Sequence, residues 1–214
     1  MSEVMVELNP LSTSSMLSAS ESTPIPRGYQ CIIGFDHAVS GRDESVAFIG
    51  YMKDDGALVE HEIRAWLNTL IHEQVDELAR RYPTAYYCID ATAEGGKECL
   101  GYFERASLDV IGVDFGKSKQ TLMITLKNAM QQGLFKFSDD KLRVQLSNYK
   151  FKESDSVKGR YKFGEPGTPD DRVDAAALAN YRAFLMRGYG NGENSVIFQG
   201  DRQRVNDASG IMTM

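Results

Sequence analysis

Three stretches of this chain place aspartate beside residues apolar enough to be buried. QCIIGFD, Gln30 to Asp36, and AYYCID, Ala85 to Asp90, are dry runs of strand length that each finish on a carboxylate. TPDDRVDAAALA, Thr168 to Ala179, sets Asp170, Asp171 and Asp174 at the mouth of an otherwise apolar helix. Part of that pattern is ordinary helix-start chemistry. Thr168 can cap, Pro169 suits the first helical position, and acids in a first turn favour the helix dipole. This accounts for Asp170 and Asp171 but not for Asp174, a full turn in. Asp171 and Asp174 are three apart and share a face, which continues through Leu178, Tyr181 and Leu185. Like charges at the edge of a core repel and lose hydration, so they need a cation or a partner.

If the two dry strands are parallel neighbours, Asp36 and Asp90 fall at one C-terminal sheet edge, where open α/β sheets place their sites. The closing helix can deliver Asp171 or Asp174 to the same edge. Oxygen-only ligands favour magnesium or manganese over zinc. Two such ions, about 3.5–4 Å apart, stabilise both the attacking and the leaving oxygen of an in-line phosphodiester displacement. Asp36, on the central strand, takes the bridging position in this expectation. Asp90 completes one metal, and Asp171 or Asp174 the other.

The elements that must position these acids are readable from periodicity. After Gln30 to Asp36, Ser45 to Tyr51 reads as a second strand, and Asp54-Asp55-Gly56 as a hairpin turn into a third, Ala57 to Ala65. Trp66 to Arg81 carries Leu67, Leu70, Ile71, Val75 and Leu78 at helical spacing, with Pro83 closing it. A fourth strand ends at Asp90. Then come a helix from Gly95 through Arg105, a short strand Val110 to Val113, and a helix Ser118 to Gln132. A short helix Asp139 to Ser147 and a hairpin of Tyr149 to Lys152 with Gly159 to Phe163 precede the acidic helix, which Gly188 and Gly190 stop. The order predicts an α/β fold, with a mixed five-stranded sheet whose first three strands are antiparallel, flanked by helices. Residues 1–28 read as a flexible lead, 29–187 as the domain, and 188–214 as a loose tail.

Composition bounds the rest. A chain of 214 residues holds one good-sized domain plus tails. No apolar run approaches the roughly 20 residues a membrane helix needs, so the expectation is a soluble, intracellular protein without a membrane partner. Cys31, Cys88 and Cys99 lack paired spacing and read as free thiols; no CxxC or HxxxH pattern suggests zinc. The net charge is −6, yet residues 116–164 hold 11 Lys and Arg against 4 Asp and Glu, a local +7 that leaves −13 elsewhere. A basic segment beside an acidic site suits a polyanion held over metal ligands.

Taken together, the pieces resemble the nuclease domain of viral, bacteriophage-type large terminase subunits, in the RNase H-like (retroviral-integrase-like) superfamily. The matching pieces are Gly34-Phe35-Asp36-His37-Ala38, with Asp43 before the second strand, and Cys88-Ile89-Asp90-Ala91-Thr92-Ala93-Glu94-Gly95. Val113-Asp114-Phe115-Gly116 leading to Lys119, Gly133-Leu134-Phe135-Lys136-Phe137, and Asp170-Asp171-Arg172-Val173-Asp174-Ala175 complete them. The resemblance spans roughly Tyr29 to Arg187. It implies a two-metal endonuclease, using Mg2+ or Mn2+, that cuts concatemeric double-stranded DNA during packaging in the host cell cytoplasm. The implied partners are a terminase ATPase domain or subunit, the small terminase and the portal. The implied metal ligands are Asp36, Asp90 and the Asp170-Asp171 pair, with Asp171 favoured.

Two departures stand out. Pro169 occupies the position where many relatives have His, and no GxxxxGK[ST] motif is present. At Gly95-Gly96-Lys97, Ala91 replaces the first Gly and Glu98 follows the Lys. The resemblance is therefore to a nuclease domain without its motor. Lys119, Lys150, Lys152 and Lys158 are candidate phosphate contacts, and Glu94 a candidate water-mediated metal contact. Asp43 and Asp114 read as turn residues, and His37, His61, His72 and Trp66 as packing or surface residues. The competing readings are another RNase H-like nuclease, of junction-resolvase or transposase type, and a non-cleaving module that docks DNA or portal.

Overall fold

The computed structural model describes residues 24–38, 44–149, 151–153, 161–163 and 169–190. The strands are β1 (Gln30–Asp36), β2 (Ser45–Met52), β3 (Leu58–Trp66), β4 (Tyr86–Asp90), β5 (Asp109–Val113) and β6 (Phe135–Lys136). They form one mixed sheet in the order β5-β4-β1-β2-β3-β6. The helices are α1 (Ile71–Arg81), α2 (Ala93–Arg105), α3 (Phe115–Gln131), α4 (Asp140–Asn148) and α5 (Asp171–Gly190). A separate hairpin pairs β7 (Phe151–Glu153) with β8 (Tyr161–Phe163). Among the described residues no helix is long and apolar enough to cross a membrane.

The first three strands form the expected antiparallel meander, and β4 pairs parallel to β1. The β2–β3 turn works as its Asp-Asp-Gly signal implies. The Asp55 carboxylate accepts the Ala57 N–H at 2.9 Å, and Gly56 takes a φ of +80° that side chains resist.

Side chains alternate along the central strands, so the sheet carries two cores. Ile33, Phe35, Ala47, Ile49, Tyr87 and Ile89 pack with Val75 and Leu78 of α1 and Cys99 and Phe103 of α2. On the other face, Ile32, Val46, Phe48 and Cys88 pack with α3, with Leu142 of α4, and with the alanine-rich α5. Arg172 through Asn180 are all buried, so the first half of α5 is enclosed on every side rather than along one stripe. Its small residues permit close approach. A Cβ on Gly34 would lie 2.0 Å from the Ala175 carbonyl oxygen and 2.3 Å from the Ala179 nitrogen.

Three expectations need correction. The sheet has six strands, not five, because Phe135 and Lys136 add to the edge parallel to β3, where the Phe135 ring packs 5.2 Å from that of Phe48. The first helix starts at Ile71, not Trp66. Pairing with Ser45 keeps Trp66 in β3, its indole N–H donates to Glu77 at 2.9 Å, and its ring meets Phe35 edge-on at 6.0 Å. Leu67 and Leu70 are consequently 55% and 61% exposed in a connection that passes through Asn68 at φ 57°. Pro169 is exposed and precedes α5; Asp170 stands at the cap, its carbonyl accepting the Asp174 N–H at 2.9 Å.

Candidate functional site

Sheet geometry alone decides where the strand aspartates point. β1 and β4 pair as Gly34↔Cys88 and Phe35↔Ile89, so the next step sets Asp36 beside Asp90. By alternation both share the face of Ile32, Gly34 and Cys88, which α5 covers. Gly34 lets the α5 backbone down onto that face, and the first turns of α5 then present Asp170, Asp171 and Asp174 over the strand ends.

Asp174 is 5% exposed, and its Oδ1 is buried without a hydrogen-bond partner. Its Oδ2 accepts from the Lys119 ammonium at 2.7 Å, and the same ammonium lies 3.3 Å from Asp170 Oδ2. Lys119 projects from the first turns of α3, its Nζ 5.4 Å from the Phe115 ring centroid. Asp90 is oriented locally. Its Oδ1 accepts the Thr92 N–H at 2.8 Å and the Thr92 hydroxyl at 2.5 Å, while the hydroxyl oxygen accepts the Phe115 N–H at 2.8 Å. Thr92 thus ties the end of β4 to the start of α3. Arg172, with a side chain only 8% exposed, anchors the opening of α5. It lies 3.4 Å from Asp139 and 4.0 Å from Glu44, and its N–H donates to Gln145 at 3.0 Å.

The electrostatics follow from this crowding. Burial first, then the charges of Asp174, Asp171 and Asp90, push the Asp36 carboxyl well above the carboxylate range, with Lys119 pulling the other way. Burial lifts Asp174 to about 7; Lys119 opposes the rise, and Asp170 and Asp90 add to it. Burial disfavours the charge on Lys119, yet Asp174, Tyr149 and Asp170 outweigh it and raise its pKa.

The donor set suits a hard divalent cation: all oxygen, four carboxylates that act on one another, and one buried carboxylate oxygen left without a proton donor. Among the described residues no three His, Cys, Asp or Glu are gathered tightly enough to hold an ion, and Lys119 supplies the positive charge between Asp170 and Asp174. A cleft of about 590 Å³ lies elsewhere, at the opposite end of β1 and β4, lined by Tyr29, Cys31, His61, Tyr82 and Tyr86. No carboxylate of the cluster lines it.

Known structures share this arrangement of strands and helices. The large terminase nuclease from thermophilic phage G20c with bound magnesium superposes with a TM-score of 0.63 at 20% identity, over 74% of this chain and 84% of that one. The fold is that of large-terminase nuclease domains. The nuclease domain of the Thermus phage P74-26 large terminase gives 0.58 at 21% identity, over 73% and 81%. The large terminase of another thermophilic bacteriophage, in complex with ATP-gamma-S, gives 0.57 at 13% identity, over 73% of this chain and 41% of that one. No family model and no curated protein matches the sequence.

Within this terminase nuclease fold, Asp36, Asp90, Asp171 and Asp174 come to one sheet edge, and Lys119 joins them through Asp174. Asp114 caps α3 as a turn residue and pairs with Lys117 at 3.1 Å, and Glu94 is exposed. His37 stacks on Phe35 at 6.2 Å, with Nδ1 3.3 Å from the Ser45 hydroxyl, which is packing. Asp43, Lys150, Lys158 and Thr168 lie outside the described residues, and of Lys152 only the backbone in β7 is described. Thr92 and Arg172 were not anticipated. A hydroxyl two residues after a strand-end aspartate is a turn signal that could have marked Thr92. Nothing local marks Arg172, whose partners are distant in sequence.

Proposed function

We propose that this chain is a metal-dependent endonuclease that cuts double-stranded DNA concatemers during viral genome packaging in the host cell cytoplasm. It would act with a terminase ATPase domain or subunit, a small terminase and a portal. The observation that carries the proposal is the delivery of Asp36, Asp90, Asp171 and Asp174 from three separate elements to one sheet edge, with a buried Asp174 oxygen left without a partner. The G20c nuclease has been seen with bound magnesium, cobalt and zinc on the same fold, which supports a divalent site.

In this reading Asp36, Asp90, Asp171 and Asp174 would hold two divalent ions, Mg2+ or Mn2+, with Asp36 on the central strand between the others and Asp90 oriented by Thr92. When bound, such ions would stabilise charge on the attacking and leaving oxygens of the phosphodiester. The chain's own part is to fix the carboxylates, and Gly34, Thr92 and Arg172 do this by packing and hydrogen bonding. Lys150, Lys152 and Lys158 are assigned to the DNA backbone.

Supercoiled plasmid incubated with manganese tests the reading. The native chain should nick and linearise it, Asp36→Ala should lose at least about a hundredfold in rate, and a chelator should stop the reaction. Equal cleavage by both proteins, or none by the native chain, would remove the catalytic assignment.

A further inference from the structure

The acidic cluster already holds one cation, and it belongs to the protein. The Lys119 ammonium lies 2.7 Å from Asp174 Oδ2 and 3.3 Å from Asp170 Oδ2, on a side chain that is 26% exposed. It also acts electrostatically on Asp36, so its influence reaches the strand-end carboxylate as well as the helix acids. It comes from α3, an element that contributes none of the acids. The second Asp174 oxygen, buried and unpartnered, shows that the ammonium satisfies only half of the most buried carboxylate in the group.

We propose that Lys119 is a built-in counter-cation, which holds Asp170 and Asp174 while no metal is bound and opposes the entry of a divalent ion at Asp174. An ammonium on Asp174 Oδ2 and a divalent ion on Oδ1 would stand on one carboxylate and repel each other, so each weakens the other's hold there. Lys119 is thereby a positioning residue that sets a threshold for metal loading. It keeps the carboxylates compatible with a folded chain before loading, and it lowers the apparent affinity for the ion. The coupling is reciprocal: a metal whose binding Lys119 weakens must in turn weaken the hold of Asp174 on Lys119. This inference rests on the metal-dependent reading of the same pocket.

Calorimetric titration of manganese into the metal-free full chain tests it, using the native protein, Lys119→Met and Lys119→Arg. Lys119→Met should bind manganese roughly tenfold more tightly, while Lys119→Arg, which keeps the charge, should stay near native. The metal-free thermal midpoint of Lys119→Met should fall below native, and saturating manganese should close the gap. An unchanged or weaker affinity in a folded Lys119→Met overturns the inference. If Lys119→Met fails to fold, acetic anhydride labelling of the native protein decides. Labelling of Lys119, read by mass spectrometry, should accelerate on adding manganese, and an unchanged rate overturns the inference. A native chain that binds manganese but does not cut plasmid defeats the nuclease reading alone. A native chain that cuts, beside a Lys119→Met that binds manganese no more tightly, defeats this inference alone.

Discussion

Asp36 and Asp174 are carboxyls that burial and neighbouring carboxylates set against their own ionisation. In the metal-free folded chain they keep protons at pH values where an unfolded aspartate has lost its own. Folding therefore takes up protons, and this contribution to stability declines as pH rises from about 4, levelling for Asp174 above about 7. His37 and His61, lowered by burial, act in the opposite sense, since the unfolded chain holds more protons there. Comparison with Asp36→Asn cancels the histidines, because both proteins carry them. In chelator, Asp36→Asn should melt above native by at least about 2 °C at pH 8, with the advantage shrinking towards pH 5. Saturating manganese should reverse it. A difference that does not vary with pH would mean that Asp36 ionises freely in the folded chain. The strand-end acids were legible in sequence because a carboxylate after a dry run has few other uses. The ion pair between Lys119 and Asp174 was not, since it joins residues 55 apart, and no local pattern specifies which acid a lysine will meet.

At the scale of elements, α5 positions the site because β1 lets it come close. Gly34 lies under the α5 backbone, with no space for even a methyl group beside Ala175 and Ala179. Gly34→Ala must therefore push the helix outward and carry Asp174 with it. The expected loss is about 3 kcal/mol or more in urea unfolding, at the upper end for overpacking because the clash is with backbone. Manganese affinity should fall in parallel. A stable Gly34→Ala with native affinity would show that α5 does not set the spacing. Continuous apolar runs made β1, β2 and β4 legible, and the Pro-then-acid-then-alanine pattern did the same for α5. β6 escaped because two residues carry no periodicity, and its pairing with β3 depends on where α3 ends. The beginning of α1 was misplaced because Leu67 and Leu70 mimic helical spacing while remaining exposed in a turn.

For the whole molecule, the division of charge matters more than the total of −6. The segment 116–164 carries the local +7, and on the function proposed above such cations would hold a DNA duplex at the acidic edge. Binding by this chain should be weak and strongly salt-dependent, with little sequence preference. Neutralising Lys150, Lys152 and Lys158 together to Gln should flatten the log–log salt slope by up to about 2.7, at about 0.9 per phosphate contact. Manganese affinity should not change. An unaltered slope would move the DNA grip elsewhere. One property of the architecture also bears on how the protein is made. The helix that covers the second apolar face of the sheet is the last described element of the chain, and it brings Asp170, Asp171 and Asp174 with it. A nascent chain emerging from the ribosome therefore has no complete acidic cluster until its sheet can be covered, so a chain cut short before α5 lacks three of the acids and leaves that apolar face open.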